Sequence, residues 1–223
     1  MNLTLFDLDH TLIPTDSDYE WGVFTTGLGW NDAADFASRN DAFFAQYKAG
    51  TLDIHEYVRF ATRAIRQQGA SKSEAAHLDF MRAVVQKVIQ PQALDLVRAH
   101  QAAGDAVLIV TATNEFVTRP IAAAFGVSDL IAINLQRDPA TSWFTGEIEG
   151  TPSFREGKVA RVQEWLASRQ QGWEDVESTF YSDSINDLPL LEHVTHPVAT
   201  NPDDRLRAIA LERGWRILEL FTN

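Results

Sequence analysis

The chain has 223 residues, 45% hydrophobic and 22% charged, which is ordinary for a globular protein able to bury a sizeable core. Its net charge of -12 argues against a nucleic-acid partner, whose phosphates it would repel, and the absence of cysteine excludes disulfides and thiol catalysis. The N-terminus has no basic segment leading into an apolar run, and no apolar stretch approaches the roughly 20 residues that span a bilayer, so a cytoplasmic protein without membrane contact is expected.

The first element runs from Leu3 to about Asp9. Its apolar residues are nearly continuous, as in a parallel strand covered on both faces, and it ends in two aspartates one residue apart, Asp7 and Asp9. Ile13 to Asp18 is a polar connector containing Pro14. From about Ser17 to Val88 the pattern turns helical. Tyr19, Trp21, Val23 and Phe24 begin a helix that Gly27 and Gly29 close. Asn31 is placed to cap a second, bearing Phe36, Phe43, Phe44 and Tyr47 and ending at Gly50. Asp53 with Glu56, and Ser71 with Glu74, read as capping boxes for two more. The cap aromatics Phe36, Phe43, Phe44 and Tyr57 read mainly as core. About seventy helical residues are too many for a crossover, so residues 15–88 are expected to form an inserted helical domain in a core of 1–14 and 89–223.

From Pro91, a plausible helix start, βα alternation returns. Strands are expected at Val107–Val110, Leu130–Leu135, Ser178–Ser182 and Val194–Ala199, with an edge strand near Trp215–Leu218 and a hairpin around 143–148. Helices fall at 115–125, 156–169 and 185–191, and a last one opens at Asn201-Pro202-Asp203. The sum is a doubly wound, Rossmann-like α/β parallel-sheet core with a small all-helical insertion. In a parallel sheet the strand ends share one edge, where ligands bind. Asp7, Asp9, Thr111, Asp183 and Asp187 reach that edge, and Lys158 can reach it from just inside a helix. Carboxylates so placed can serve as nucleophile and proton shuttle and hold a divalent cation.

This set resembles the haloacid dehalogenase superfamily. Asp7-Leu8-Asp9-His10-Thr11 matches its first motif, Asp-x-Asp-x-Thr; Thr111 and Lys158 match the second and third. Ser182-Asp183-Ser184-Ile185-Asn186-Asp187 matches the fourth, with Ser182 in place of the usual glycine. The insertion looks like the small cap of the phosphoserine phosphatase branch, and Thr15 to Gly22 resembles its bacterial histidinol-phosphatase-like members. The resemblance implies that Asp7 is the nucleophile of an aspartyl-phosphate mechanism and Asp9 the general acid and base. It implies Mg²⁺ held by the Asp7 carboxylate, the Asp9 carbonyl and Asp183. Lys158 and Thr111 would engage the phosphoryl group, with Thr113 a rival for the role of Thr111. Asp187 would either touch the metal or orient its waters or Lys158.

His10, Thr11, Asp16, Thr113 and Asn114 are candidates for substrate contact. Asp16 falls where the branch places a glutamate that binds the substrate ammonium. The branch also uses a cap arginine for the substrate carboxylate, and an alignment through Gly50-Thr51-Leu52 puts Ala61 there, with Arg59 and Arg63 pointing elsewhere on the helix. A missing arginine would leave a carboxylate unpaired. The expected substrate is therefore a small phosphomonoester with a cationic group and no carboxylate, such as histidinol phosphate or phosphoethanolamine. The alternatives are a phosphoserine phosphatase, a dehalogenase, a phospho-accepting binding module without turnover, and a non-catalytic scaffold. The sequence leaves the oligomeric state open.

Overall fold

A computed structural model describes residues 1–221. Six parallel strands form the main sheet: β1 (Asn2–Phe6), β2 (Ala106–Asn114), β3 (Asp129–Ile133), β6 (Glu177–Ser182), β7 (His196–Thr200) and β8 (Arg216–Leu218). Their spatial order is β3-β2-β1-β6-β7-β8, so the order reverses at β1. That is the switch point of a doubly wound sheet, where a crevice opens outside the carboxyl ends of the strands. Phe6 pairs in register with Ile109 and with Tyr181, which sets the residues after it level with Val110–Thr111 and Ser182–Asp183.

β1 is sandwiched. Leu3 and Leu5 face a buried cluster with Val110, Val162, Phe180 and Leu206, whereas Phe6 faces a second cluster with Ile109, Val117 and Ile121. This alternation follows the two-residue period of a strand. The first face is covered by α9 (Glu156–Ala167), α10 (Leu188–Leu191) and α11 (Asp204–Arg213), which contribute Val162, Leu190 and Leu206; the second is covered by α7 (Pro91–Ala102), which begins with its proline as expected, and α8 (Glu115–Ala124).

Between β1 and α7 the chain is helical, as its pattern predicts: α1 (Ser17–Gly27), α2 (Ala33–Ala49), α3 (Ile54–Ala61), α4 (Arg63–Gln68) and α5 (Ala70–Phe80), which runs through a π-helical turn at Met81–Val85 into α6 (Gln86–Val88). Trp21, Phe80, Met81 and Val85 join the same buried cluster as Phe6 and Ile109. The hairpin β4 (Leu135–Arg137) and β5 (Phe144–Ile148) supports these helices from the core side: the Trp143 indole donates to the Ile65 carbonyl at 2.9 Å. Among the described residues no helix is long and apolar enough to cross a membrane.

Local signals shift at several places, and the expected strand Leu130–Leu135 divides after Ile133, with Leu135 opening β4. β1 ends at Phe6 rather than Asp9, because Thr11, Leu12 and Ile13 all turn their N–H groups back to the Leu8 carbonyl. Asn31 does not cap α2; its amide is spent on the Thr25 and Thr26 hydroxyls, and Asp32 takes the cap by accepting from Asp35 N at 2.8 Å. Ser71 does not cap α5 either. The helix starts one residue earlier, directly after Gly69 at φ 76°, so Ser71 lies within its first turn.

Candidate active site

The first turn past β1 carries the two aspartates to the switch point. Asp7 N donates to the Tyr181 carbonyl at 2.9 Å, extending the ladder by one residue and fixing where its side chain leaves the sheet. Lys158 enters from the first turn of α9. It is 1% exposed, and its Nζ donates to Asp7 Oδ1 at 2.7 Å and Asp187 Oδ2 at 2.6 Å. Lys158 is thus not a solvated helix lysine. Ser182 Oγ donates to the same Asp187 oxygen at 2.7 Å, giving the serine in the glycine position of the fourth motif a structural task. Thr11 Oγ1 lies 3.4 Å from Asp7 Oδ2 and 3.3 Å from Asp183 Oδ1, and accepts from Asp183 N at 3.1 Å. Thr11 is fully buried and not part of the cavity wall, so it joins two carboxylates instead of meeting a ligand.

Asp9 is held at both oxygens. Ser17 N donates to Oδ1 at 2.7 Å and Thr113 Oγ1 to Oδ2 at 2.9 Å. Thr111 Oγ1 accepts from Thr113 N at 3.1 Å, while its carbonyl takes the Ser153 hydroxyl at 2.6 Å. The two threonines therefore have separate surroundings. Asn114 is a correction. It is buried, its Oδ1 caps α8 by accepting from Val117 N, its Nδ2 donates to Asp18 Oδ1 at 3.0 Å, and it does not line the cavity. Its place after the second motif coincides with a helix start, and the orphan N–H groups there claim its side chain.

A cavity of about 440 Å³ lies above these groups. Its floor is Asp7, Asp9, Thr111, Lys158 and Asp183; its upper wall includes Asp16, Glu20, Asp41, Phe43, Phe44 and Tyr57. His10 and Thr113 also line it. Of the four aromatics Phe36, Phe43, Phe44 and Tyr57, Phe36 is the one outside the cavity wall, packed on Phe60. Among the described residues the wall carries no arginine: Arg59 pairs with Glu147 and Arg63 with Asp35, both at the surface. Asp16 caps α1 through Oδ1, accepting from Asp18 N and Tyr19 N at 2.9 Å each, and still opens onto the cavity. Tyr47 of α2 bridges to the fourth motif: its hydroxyl lies 2.9 Å from Ser184 Oγ, and its carbonyl accepts from Asn186 Nδ2 at 3.2 Å.

Charge is unbalanced in this cleft. Burial, opposed by Lys158 and reinforced by Asp187, pushes the Asp7 carboxyl up to about 7. Burial and the charges of Asp7 and Asp187 hold Asp183 well above the carboxylate range. Burial, then Asp9, raises Asp16 to about 6; burial, then Asp16, raises Asp18 to about 8. Burial alone would lower Lys158, but Asp187 and Asp7 outweigh it and keep the ammonium charged. Two buried carboxylates, Asp7 and Asp187, and the half-buried Asp183 crowd around one lysine, and an oxygen-seeking divalent cation would relieve them. Among the described residues no three metal-binding side chains converge into a cage. The Asp7 and Asp183 carboxylates, both within reach of the Thr11 hydroxyl, are the oxygen donors that could hold such a cation.

The family model for haloacid dehalogenase-like hydrolases matches residues 4–192. The chain belongs to that family. Members generally use Mg²⁺. A histidinol-phosphatase of Neisseria meningitidis is 40% identical over 97% of this chain and 98% of its own length. Phosphoserine phosphatase SerB1 of Mycobacterium tuberculosis is 30% identical over 95% of this chain and 68% of its own. These relatives and the family make this haloacid dehalogenase-like hydrolase a phosphoric monoester hydrolase. Among solved structures, a protein of unknown function from Bordetella pertussis Tohama I superposes with a TM-score of 0.92 at 49% identity, over 99% of both chains. A substrate-bound phosphoserine phosphatase superposes at 0.66 over 98% of this chain and 92% of its own; at 15% identity that is a likeness of fold.

The sequence reading gave no site role to Ser153 or Tyr47, whose hydroxyls meet the Thr111 carbonyl and the Ser184 hydroxyl on distant segments, and nothing in local spacing marks such partners.

Proposed function

We propose that the protein is a Mg²⁺-dependent phosphatase of a small amino-alcohol phosphate, with histidinol phosphate the substrate that fits best. The observation that carries this reading is the cavity wall. It offers a phosphate one buried lysine, no arginine for a substrate carboxylate, and three acids, Asp16, Glu20 and Asp41, beside aromatic rings. An organic cation with a flat ring suits that wall through ion pairing and cation–π contact. The histidinol-phosphatase relative supports the same choice. In this reading residues 15–88 act as a cap over a core of 1–14 and 89–223, the protein works in the cytoplasm, and neither a membrane nor a nucleic acid is its partner.

An Asp7 carboxylate oxygen attacks phosphorus, the bond from phosphorus to the substrate oxygen breaks, and Asp9 gives its proton to the leaving alkoxide. Asp9 then takes a proton from the water that attacks the aspartyl phosphate, which releases inorganic phosphate and restores Asp7. Lys158 holds Asp7 in place and offsets the charge of the entering phosphate. Thr111 Oγ1 receives the Thr113 N–H, which leaves its own hydrogen free for a phosphoryl oxygen. Asp187 keeps Lys158 charged and aimed. The Asp7 and Asp183 carboxylates and the Asp9 carbonyl would hold Mg²⁺, which would supply positive charge against nucleophile–phosphate repulsion.

The test is a comparison of kcat/KM for histidinol phosphate, phosphoethanolamine and phosphoserine, with Asp7→Asn as the blank. Histidinol phosphate should lead, and chelation should stop turnover. A phosphoserine kcat/KM well above that of histidinol phosphate overturns the substrate. Turnover that survives chelation and Asp183→Asn overturns the metal. A stable phosphoprotein without turnover would make the chain a binding module.

A further inference from the structure

One residue outside all four motifs reaches the centre of the first. Asn201 follows β7, two strands away from β1, and adopts φ 46°. Its Nδ2 donates to the His10 carbonyl at 2.9 Å. Its Oδ1 accepts from Leu220 N at 2.7 Å and from Phe221 N at 3.1 Å, and its backbone N donates to the Leu218 carbonyl at 2.8 Å. A single amide thus ties the C-terminal segment to the residue between Asp9 and Thr11.

That residue is strained. His10 has φ 58°, in the left-handed region where a side chain other than glycine is disfavoured, so something must hold it there. Both peptides that flank it are pinned. His10 N donates to the Thr15 carbonyl at 3.3 Å, and Asn201 donates to the His10 carbonyl on the other side. In a planar trans peptide the carbonyl of Asp9 must point opposite to the His10 N–H. The two pins therefore set φ and ψ of His10 together, and with them the relative placement of Asp9 and Thr11. The anchor is firm at its far end, because Leu220 is buried in the same cluster as Phe6, Leu8, Leu12 and Ile13.

We propose that Asn201 is a positioning residue that holds His10 in its left-handed conformation, so that the C-terminal segment sets the reach of Asp9 toward the leaving oxygen. The inference rests on the reading of Asp9 as acid and base. Asn201 touches no substrate; it acts through His10.

The deciding variant is Asn201→Asp. It keeps an oxygen for Leu220 N and Phe221 N but sets an acceptor against the His10 carbonyl in place of the donor. Misplacing a catalytic acid costs an alkyl phosphate more than p-nitrophenyl phosphate, whose leaving group needs little protonation. The expected loss in kcat/KM is about 100-fold for phosphoethanolamine or histidinol phosphate and about 10-fold or less for p-nitrophenyl phosphate. A merely structural role would lower both equally, through the active fraction. Equal losses, or no loss, overturn the proposal. Where Asn201→Asp does not fold, Asn201→Gly, which accepts φ 46° and lacks the side chain, is measured against the same two outcomes. Asp9→Asn run alongside separates the two ideas: if it retains alkyl phosphate turnover, the reading of Asp9 fails, whatever Asn201 does.

Discussion

Asp18 gives the protein a pH dependence of stability that one substitution should remove. Its side chain is buried at the start of α1 against Asn114, and its carboxyl is raised from 3.8 to about 8 by burial first and Asp16 second. The folded state therefore binds a proton that the unfolded state releases above pH 4. A raised acid contributes stability in full below its unfolded value and loses it as pH rises through its folded value. The loss is about 1.4 kcal/mol per pH unit between about pH 4 and pH 8, or about 4 kcal/mol by pH 7. Asn at this position cannot ionise and can still accept the Asn114 amide. The difference in unfolding free energy between Asp18→Asn and the wild type should thus grow in favour of the variant by about 4 kcal/mol from pH 4 to pH 7. Urea denaturation followed by tryptophan fluorescence at unit pH steps measures it, and taking the difference removes the contribution of the raised carboxylates Asp7 and Asp183, which do not act on Asp18. Parallel pH profiles for the two proteins would refute the argument, because they would mean that Asp18 ionises freely in the fold.

Three further outcomes follow from contacts at the site and in the cap. Thr113→Val removes the hydroxyl that orients Asp9 Oδ2 and should lower kcat/KM about 10-fold, while Thr113→Ser, which keeps the donor, should stay near wild type; equal activity in the valine variant rejects the orienting role. Tyr47→Phe breaks the hydroxyl bond to Ser184, worth about 1 kcal/mol, and should raise KM about 5-fold with a smaller change in kcat, measured in steady-state assays on the natural substrate. Gly22 of α1 lies under the Phe36 ring of α2, and a methyl group there would land on the ring; Gly22→Ala should cost about 1–3 kcal/mol by denaturant unfolding, and an unchanged midpoint would show that α1 and α2 part freely.

What the sequence makes legible here is whatever follows a buried strand. Asp7, Thr111 and Asp183 sit at the ends of apolar runs, and a parallel sheet brings such ends together whatever the loops do. The helical insertion is legible for a similar reason, because seventy residues of helical period cannot hide in a crossover. The misreadings come from single hydrogen bonds. Asn31 and Asp32 are both good caps, and only the Thr25 and Thr26 hydroxyls, which claim Asn31, decide between them. Asn114 looked like a ligand contact because it follows the second motif, yet a helix begins there and takes the side chain. Asn201 reads in sequence only as part of a helix start, because its partners, His10 and Leu220, lie 191 and 19 residues away.

The same electrostatics explain how a chain of net charge -12 can take in an anion. A cleft with Asp7, Asp183 and Asp187 against Lys158 alone would repel phosphate, and burial sharpens the repulsion by removing the water that screens it. The lysine is already committed to two carboxylates, so it cannot neutralise an incoming phosphate unaided. Proton uptake is one remedy, and the raised Asp7 and Asp183 point that way, but a protonated Asp7 would be a poor nucleophile. A divalent cation is the remedy that leaves Asp7 ionised. Under the proposed function the excess of acid at the floor would be met by the metal, and the separate excess on the upper wall, from Asp16, Glu20 and Asp41, would be left for the cationic end of the substrate.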